Sequence, residues 1–223
     1  MKVHLVRSKE VKPEALANVF NLLVVQEGPV QFTLRPTSIS LKGDVLAWEA
    51  LFQACEGFRS EKGISEDEFI VLLVAKPNDK NWFSSPDPSG RKSIFLHAGD
   101  WDNYLVDSSP ESALAFQVFE NLLQALMYKS LDEALSLAHD PPIGCINDMC
   151  SWKPHVTFKL RTADVCGDCL NLMEERGIPR DVIRQALRTF ESLRKHMLLS
   201  RRFQQVESGD DNLPFPVAIT RMA

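Results

Sequence analysis

The chain has 223 residues, of which 44% are hydrophobic and 25% are charged, and its net charge at pH 7 is −5. These values are typical of a globular domain that buries its own core, so no disulfide scaffold is needed. They exclude a general attraction to nucleic acid or anionic membranes. No segment has the roughly 18 consecutive apolar residues of a membrane span and no signal-peptide pattern is present, so we expect a cytoplasmic protein.

The first part of the chain alternates strand and helix patterns. Residues 3–6 predict a short buried strand, and Pro13 stands at the position where proline opens a helix. Alternating apolar residues at 30–34 predict a second strand, and Asp44 is the expected cap of the next helix. The continuous apolar run 68–75 predicts a strand that is buried on both faces near the centre of a sheet.

The middle of the chain predicts a further strand and a central helix. Residues 93–97 form a short apolar run, and Ser109 followed by Pro110 is a strong helix start. The helix from Pro110 to about Met127 has little polar surface, so we expect it to be buried. A shorter helix is predicted at 131–138.

The last third carries the remaining elements of an α/β fold with a mixed sheet. The alternation of Val156, Phe158 and Leu160 with polar residues predicts a strand. A long helix opens at Pro179. We therefore expect an α/β domain at 1–175, with a C-terminal helix and tail at 176–223 packed on it.

Four of the five cysteines form two close pairs, Cys145-x4-Cys150 and Cys166-x2-Cys169, with 15 residues between them. Two such pairs brought together on tight turns can supply the four thiolates of a closed tetrahedral zinc site. Two disulfides and an iron–sulfur cluster are the alternatives, but the first requires an oxidising compartment and the spacing does not favour the second. We predict structural Zn²⁺ bound by these four cysteines.

The cysteine pattern resembles that of the archaemetzincins, a family of zinc peptidases. In that family, an HExxHxxGxxH motif on a central helix is followed by Cys-x4-Cys-x-Met and later by Cys-x2-Cys, and the cysteines hold a structural zinc. Cys145-x4-Cys150 and Cys166-x2-Cys169 match this second half. The upstream order of strands and helices is also similar, so the resemblance implies a metzincin-like fold over most of residues 1–173.

The catalytic half of the family motif does not match. In the best register on the central helix, Phe119 and Leu123 stand where zinc-binding histidines are needed, and only Glu120 survives. Gly144 stands where the family has its third histidine. Since Phe and Leu cannot bind zinc, the resemblance implies that the peptidase zinc and its activated water are absent.

Two histidines remain as weak catalytic candidates. His139 precedes the cysteines and is either a displaced ligand or general base, or a residue that interacts with the end of a helix. His97 follows a strand, close to Asp100 and Asp102. These residues form a second metal site only if folding brings them together with His139.

Two surfaces are candidates for binding a protein partner. Trp82 and Phe83 lie in a polar loop and either pack onto the sheet or form an exposed recognition patch. The region 176–203 has eight Lys or Arg against two Asp or Glu. Its basic face, Arg180, Arg184 and Arg188, either binds an acidic partner or phosphate, or is simply solvated.

We therefore expect a zinc-stabilised, metallopeptidase-like protein without peptidase activity that serves as a binding or regulatory subunit. A bacterial regulatory or defence role would suit such a degenerate fold. The first alternative is a divergent zinc hydrolase that uses His97, His139 and nearby acids. The second is a zinc protein that associates with nucleic acid through its basic C-terminal helix.

Overall fold

A computed structural model describes residues 1–105 and 109–207, with the backbone alone for residues 196–207. Five strands form one mixed sheet in the order β2-β1-β3-β5-β4. Strands β1, β2, β3 and β5 are parallel, and β4 pairs antiparallel to β5 at the edge. The strands are β1 (Lys2–Ser8), β2 (Gln31–Ile39), β3 (Phe69–Val74), β4 (Ser84–Pro86) and β5 (Ser93–His97).

The central strand β3 is buried along its whole length, as its continuous apolar sequence predicts. Successive side chains of a strand point to opposite faces. Val71 therefore packs into the core on one face, and Leu72 packs into the core on the other. A single run of apolar residues in β3 thus contributes side chains to the hydrophobic cores on both faces of the sheet.

The helices cover both faces of this sheet. The larger core contains residues of α1, α3 and α7, and the smaller core contains residues of α2. Cys55 lies in the smaller core, where burial raises the pKa of its thiol to about 12. The helices are α1 (Pro13–Val24), α2 (Trp48–Lys62), α3 (Pro110–Met127), α4 (Leu131–Leu137), α5 (His155–Thr162), α6 (Gly167–Glu175) and α7 (Arg180–Glu207), with a short 3-10 helix at Trp101–Asn103.

The central helix α3 begins where its sequence predicts. The hydroxyl of Ser109 accepts a hydrogen bond from the backbone N–H of Ser112, and Pro110 is the first helical residue. Its burial follows from helices α1 and α7 packing against it. Among the described helices, none combines the length and the hydropathy that a membrane span requires.

The predicted strand at residues 156–160 is wrong, because this segment is helix α5. Val156 and Leu160 are one helical turn apart and are buried together, whereas Phe158 is exposed. A spacing of four residues fits both an alternating strand and one face of a helix, so the apolar pattern alone could not separate them. The start of α2 is also corrected, from Asp44 to Trp48.

Helix α7 packs against α3 and α5. Phe190 of α7 lies against Phe116 and Phe119 of α3, with ring centroids 4.9 and 6.4 Å apart. Gln185 ties α7 to the loop before β2, because its side chain bonds both the N–H and the C=O of Val30. Helix α7 therefore packs on the body of the protein up to residue 195, and residues 208–223 of the predicted tail lie outside the described residues.

Candidate metal centre and adjacent cleft

Four side chains converge near the C-terminal end of α3. The Nε2 or Nδ1 atom of His139 and the Sγ atoms of Cys145, Cys166 and Cys169 all lie within 4.8 Å of one another. Nε2 of His139 is 3.3 Å from the Sγ atoms of both Cys166 and Cys169. Among the described residues this is the one group of His, Cys, Asp and Glu that is arranged to hold a metal ion.

Local backbone geometry brings these side chains together. Cys166 caps α6 and Cys169 lies in its first turn, so both face the same point. Cys145 follows Gly144, whose φ of +91° is the left-handed region that favours glycine. A Cβ atom at Gly144 would lie 2.7 Å from the side chain of Thr162. Glycine is therefore required here both by conformation and by space.

Hydrogen bonds already prepare one of the sulfur atoms, that of Cys145, for negative charge. The backbone N–H of Cys166 lies 3.4 Å from the Sγ of Cys145, and Nδ2 of Asn147 donates to the Sγ of Cys169 over 3.0 Å. The hydrogen bond with Cys169, together with those from backbone amides, lowers the pKa of Cys145 to about 5. The same hydrogen bond raises the pKa of Cys169, which donates in it. A low thiol pKa favours the thiolate, which is the form that binds metal.

The donor set fits zinc. Three thiolates and one imidazole make a Cys₃His set, which is common in closed structural zinc sites. Zn–S bonds of about 2.3 Å in a tetrahedron separate sulfur atoms by about 3.8 Å, and the donor atoms here lie within 4.8 Å of one another. Four protein donors fill the tetrahedron, so the arrangement leaves no position for a reactive water.

Cys150, a predicted ligand, is not part of this group. Its Sγ lies 3.9 Å from the carbonyl oxygen of Asp148, and burial raises its pKa to about 11. His139, which the sequence offered as a displaced ligand or general base but not as part of the cysteine site, stands in the cluster instead. The Cys-x4-Cys spacing favours a site of four cysteines and therefore gives His139 no place in it. A histidine shortly before the first cysteine is nevertheless compatible with a Cys₃His set.

A cleft of about 390 Å³ lies beside the metal centre. Its walls are the segment leading into β4, the C-terminal half of α3, helix α4 and the loop after Cys145. Glu120 and Lys159 line it, and both side chains are more than nine-tenths buried. Nζ of Lys159 forms an ion pair with Glu120 and donates a second hydrogen bond to the carbonyl oxygen of Asp148 over 3.1 Å.

The other predicted catalytic candidate, His97, is buried and engaged elsewhere. Its Nε2 is 3.2 Å from the carbonyl oxygen of Ala75, and burial lowers its pKa. Its own carbonyl oxygen accepts a hydrogen bond from Trp101. The structure does not place His97, Asp100 or Asp102 in a metal-binding group with His139 among the described residues. The second metal site suggested for these residues is therefore not formed.

The first candidate partner surface, the arginines of α7, makes contacts within the chain. Arg180 pairs with Glu174, Arg184 pairs with Asp181, and Arg188 donates to the carbonyl oxygen of Glu27. The ion pairs of Arg180 and Arg184 are exposed, so all three arginines have contacts within the chain but remain on the surface.

Trp82 and Phe83 are partly buried. Trp82 packs edge-on against Trp48, with ring centroids 5.1 Å apart, and Phe83 stacks on Trp101 at 4.8 Å. Both aromatic residues also line the cleft. The loop therefore packs onto the sheet and forms a cleft wall, rather than a separate exposed patch.

Two solved structures share this arrangement of elements. Archaemetzincin from Methanopyrus kandleri matches with a TM-score of 0.54 and 17% sequence identity, over 80% of this chain and 96% of that chain. The fold is that of the archaemetzincins. A zinc-dependent peptidase from Methanocorpusculum labreanum matches with a TM-score of 0.53 and 12% identity, over 77% of this chain and 99% of that chain. No protein-family model and no curated protein sequence matches the chain.

The archaemetzincin fold confirms the resemblance carried by the cysteines, and the structure places the residues proposed for the motif of the central helix. Phe119 and Leu123 are in the core, where Phe119 packs against Phe32 and Phe190. Gln117, Glu120 and Gln124 of α3, each about one turn from the next, line the cleft. Glu120 thus lines the cleft, where it is paired with Lys159.

Proposed function

We propose that this protein is a zinc-stabilised, catalytically inactive metallopeptidase-like protein that acts as a binding or regulatory subunit. The observation that supports the proposal most directly is the buried ion pair of Lys159 and Glu120 at the cleft. In an active zinc peptidase the corresponding region has to offer unpaired donors to an ion. Here the one acidic side chain on that face of α3 is already neutralised.

The ammonium group of Lys159 opposes the binding of a divalent cation. Burial alone lowers the pKa of Lys159, but the neighbouring carboxylate of Glu120 outweighs burial, and the net pKa is raised. Lys159 therefore keeps its positive charge at neutral pH, and this charge repels a metal cation. Gln124 does not replace the missing ligands, because the usual zinc ligands are Cys, His, Asp and Glu side chains rather than neutral amides. Its Nε2 donates to the carbonyl oxygen of Ile146 and to Asn147.

The proposed role of the zinc ion is structural. His139, Cys145, Cys166 and Cys169 would hold it, and it would link the segment after α4, the turn at Gly144 and the start of α6. A closed site of this kind contributes free energy of folding and activates no water. Residues 147–150 of the segment it would fix also form one wall of the cleft.

We also propose a protein partner and place its binding surface at the cleft. The arginines of α7 lie on a convex helix surface, whereas Trp82 and Phe83 offer partly exposed aromatic surface beside a concave site. Aromatic side chains in concave sites commonly carry much of the binding energy.

Zinc content of matched variants tests the metal assignment. The wild type is expected to contain one zinc per chain by elemental mass spectrometry. Cys150→Ser should keep that ion, whereas Cys166→Ser and His139→Ala should lose it or bind it far more weakly, because each removes a ligand. Loss of zinc from Cys150→Ser, together with retention in His139→Ala, would restore the set of four cysteines predicted from the sequence.

Casein degradation in the presence of added zinc tests the absence of peptidase activity. No cleavage above a heat-treated control is expected from the wild type. Cleavage that persists after repurification and disappears in Glu120→Gln would show that the protein is an enzyme. A second zinc per chain that survives Cys166→Ser would point the same way.

A further inference from the structure

We infer that the cleft binds an acidic peptide segment. This inference rests on the proposed function, because it names the ligand class of the same cleft. Six cationic side chains and three acidic ones line the cleft, although the chain as a whole carries a net charge of −5. The cleft lining therefore carries net positive charge on a chain that is negative overall.

Two of the six cations already have carboxylate partners. Arg91 pairs with Asp87 at 2.6 Å, and Lys159 pairs with Glu120. The remaining four are lysines, and none of them forms an ion pair within 4.0 Å among the described residues. They are Lys80, Lys92, Lys129 and Lys153.

Aromatic rings hold three of these lysines in place. Nζ of Lys80 lies 4.2 Å from the ring of Trp48, that of Lys92 lies 5.0 Å from Phe69, and that of Lys153 lies 4.8 Å from Phe83. Cation–π contacts restrict the long side chains without neutralising their charge. Less conformational entropy is then lost when a carboxylate binds.

The cleft also contains acceptors that lack a donor. Gln117 is 3% exposed, and its Oε1 has no hydrogen-bond partner among the described residues. Oδ1 of Asp148 is likewise unpartnered, while its Oδ2 accepts the N–H groups of Gly144 and Cys145. A buried acceptor without a partner costs about 1–3 kcal/mol. A ligand that brings N–H groups would remove this cost.

Together these groups fit a peptide better than a nucleic acid. A peptide with acidic side chains carries both the carboxylates that the lysines attract and the backbone N–H donors that Gln117 lacks. A phosphodiester backbone offers charge but no donor, and the acidic body of the protein repels a long polyanion. The volume of about 390 Å³ is within the range of about 300–1,000 Å³ seen for ligand pockets.

Fluorescence anisotropy with the zinc-loaded protein tests the inference. The probe is a short fluorescein-labelled peptide of alternating glutamate and alanine, and the control peptide has glutamine in place of glutamate. We expect the acidic peptide to bind more tightly, and its affinity to fall as salt is added. Mass spectrometry of the peptide after incubation shows whether it stays intact.

Variants locate the binding site. Lys129→Gln and Lys153→Gln should each weaken binding of the acidic peptide about two- to fivefold. The matched control is Lys42→Gln, at an exposed lysine that does not line the cleft. Gln117→Met should weaken binding while leaving thermal stability unchanged or raised, because it removes a buried group that has no partner.

The outcomes separate this inference from the proposed function. Equal binding of both peptides, with no effect of the lysine variants, would overturn the acidic preference and leave a peptide-binding protein. Binding of neither peptide would overturn the inference without touching the zinc assignment. Lysine-dependent binding of oligothymidylate that displaces the acidic peptide would replace the peptide by nucleic acid. Cleavage of the probe would overturn the proposed function itself.

Discussion

The ion pair of Lys159 and Glu120 leads to a quantitative prediction for stability. Lys159→Met leaves the carboxylate of Glu120 buried without its partner. Breaking a buried pair in this way costs about 3–5 kcal/mol. The loss of the hydrogen bond to the carbonyl oxygen of Asp148 adds about 1 kcal/mol. We therefore expect the single variant to lower the free energy of unfolding by about 4 kcal/mol or more, as measured by urea denaturation with zinc present.

A double variant distinguishes the charge from the packing. Replacing both partners by methionine removes both charges and keeps similar volume, and such replacements are often neutral or stabilising. Lys159→Met with Glu120→Met should therefore recover most of the loss caused by Lys159→Met alone. Lys195→Met is the matched control, because its pair with Glu191 is exposed and worth at most about 0.5 kcal/mol. A single variant that costs less than about 1 kcal/mol, or a double variant as unstable as the sum of the singles, would refute the reasoning.

Three further changes have expected results. Gly144→Ala should weaken zinc binding and lower the melting temperature, because it combines backbone strain of about 1–2 kcal/mol with a clash against Thr162; Gly167→Ala, with open space around it, should change neither. Burial lowers the pKa of His97, so the unfolded chain binds its proton more readily. Stability should thus fall as pH drops below about 6.5, and His97→Gln should show a weaker pH dependence; equal dependence would contradict this. Gln185→Leu strips three backbone groups before β2 of their hydrogen bonds and should cost about 2–4 kcal/mol in urea melts, whereas an unchanged midpoint would show that α7 is held by its apolar face alone.

Elements with strong local signals could be predicted from the sequence. The cap and proline at Ser109 and Pro110 mark the start of α3, and the apolar run of β3 marks a strand covered on both faces. Strand β4 is three residues long and ends in proline, so it has no run long enough to show a period. Its existence depends on pairing with β5, which is a tertiary contact.

The candidate metal site could be predicted only in part. The spacing of Cys166 and Cys169 is itself close to what one turn of helix imposes, so the sequence identifies this pair directly. The choice between Cys150 and His139 depends on how the loop after Cys145 folds back toward the segment that follows α4. That choice is made by long-range hydrogen bonds, such as those between His139 and the backbone of Asn147 and Met149, which no local pattern reveals.

Residues 144–150 connect the metal centre to the cleft, and individual side chains make each connection. Asn147 contacts the Sγ of Cys169 with its Nδ2 and receives Gln124 from α3 with its Oδ1. The backbone of Asp148 receives Lys159, while its carboxylate orders the N–H of Cys145. A substitution in this segment that changes metal affinity is therefore expected to change ligand preference as well. Substitutions in the opposite walls, β4 and α4, could change ligand preference and leave zinc binding unaltered.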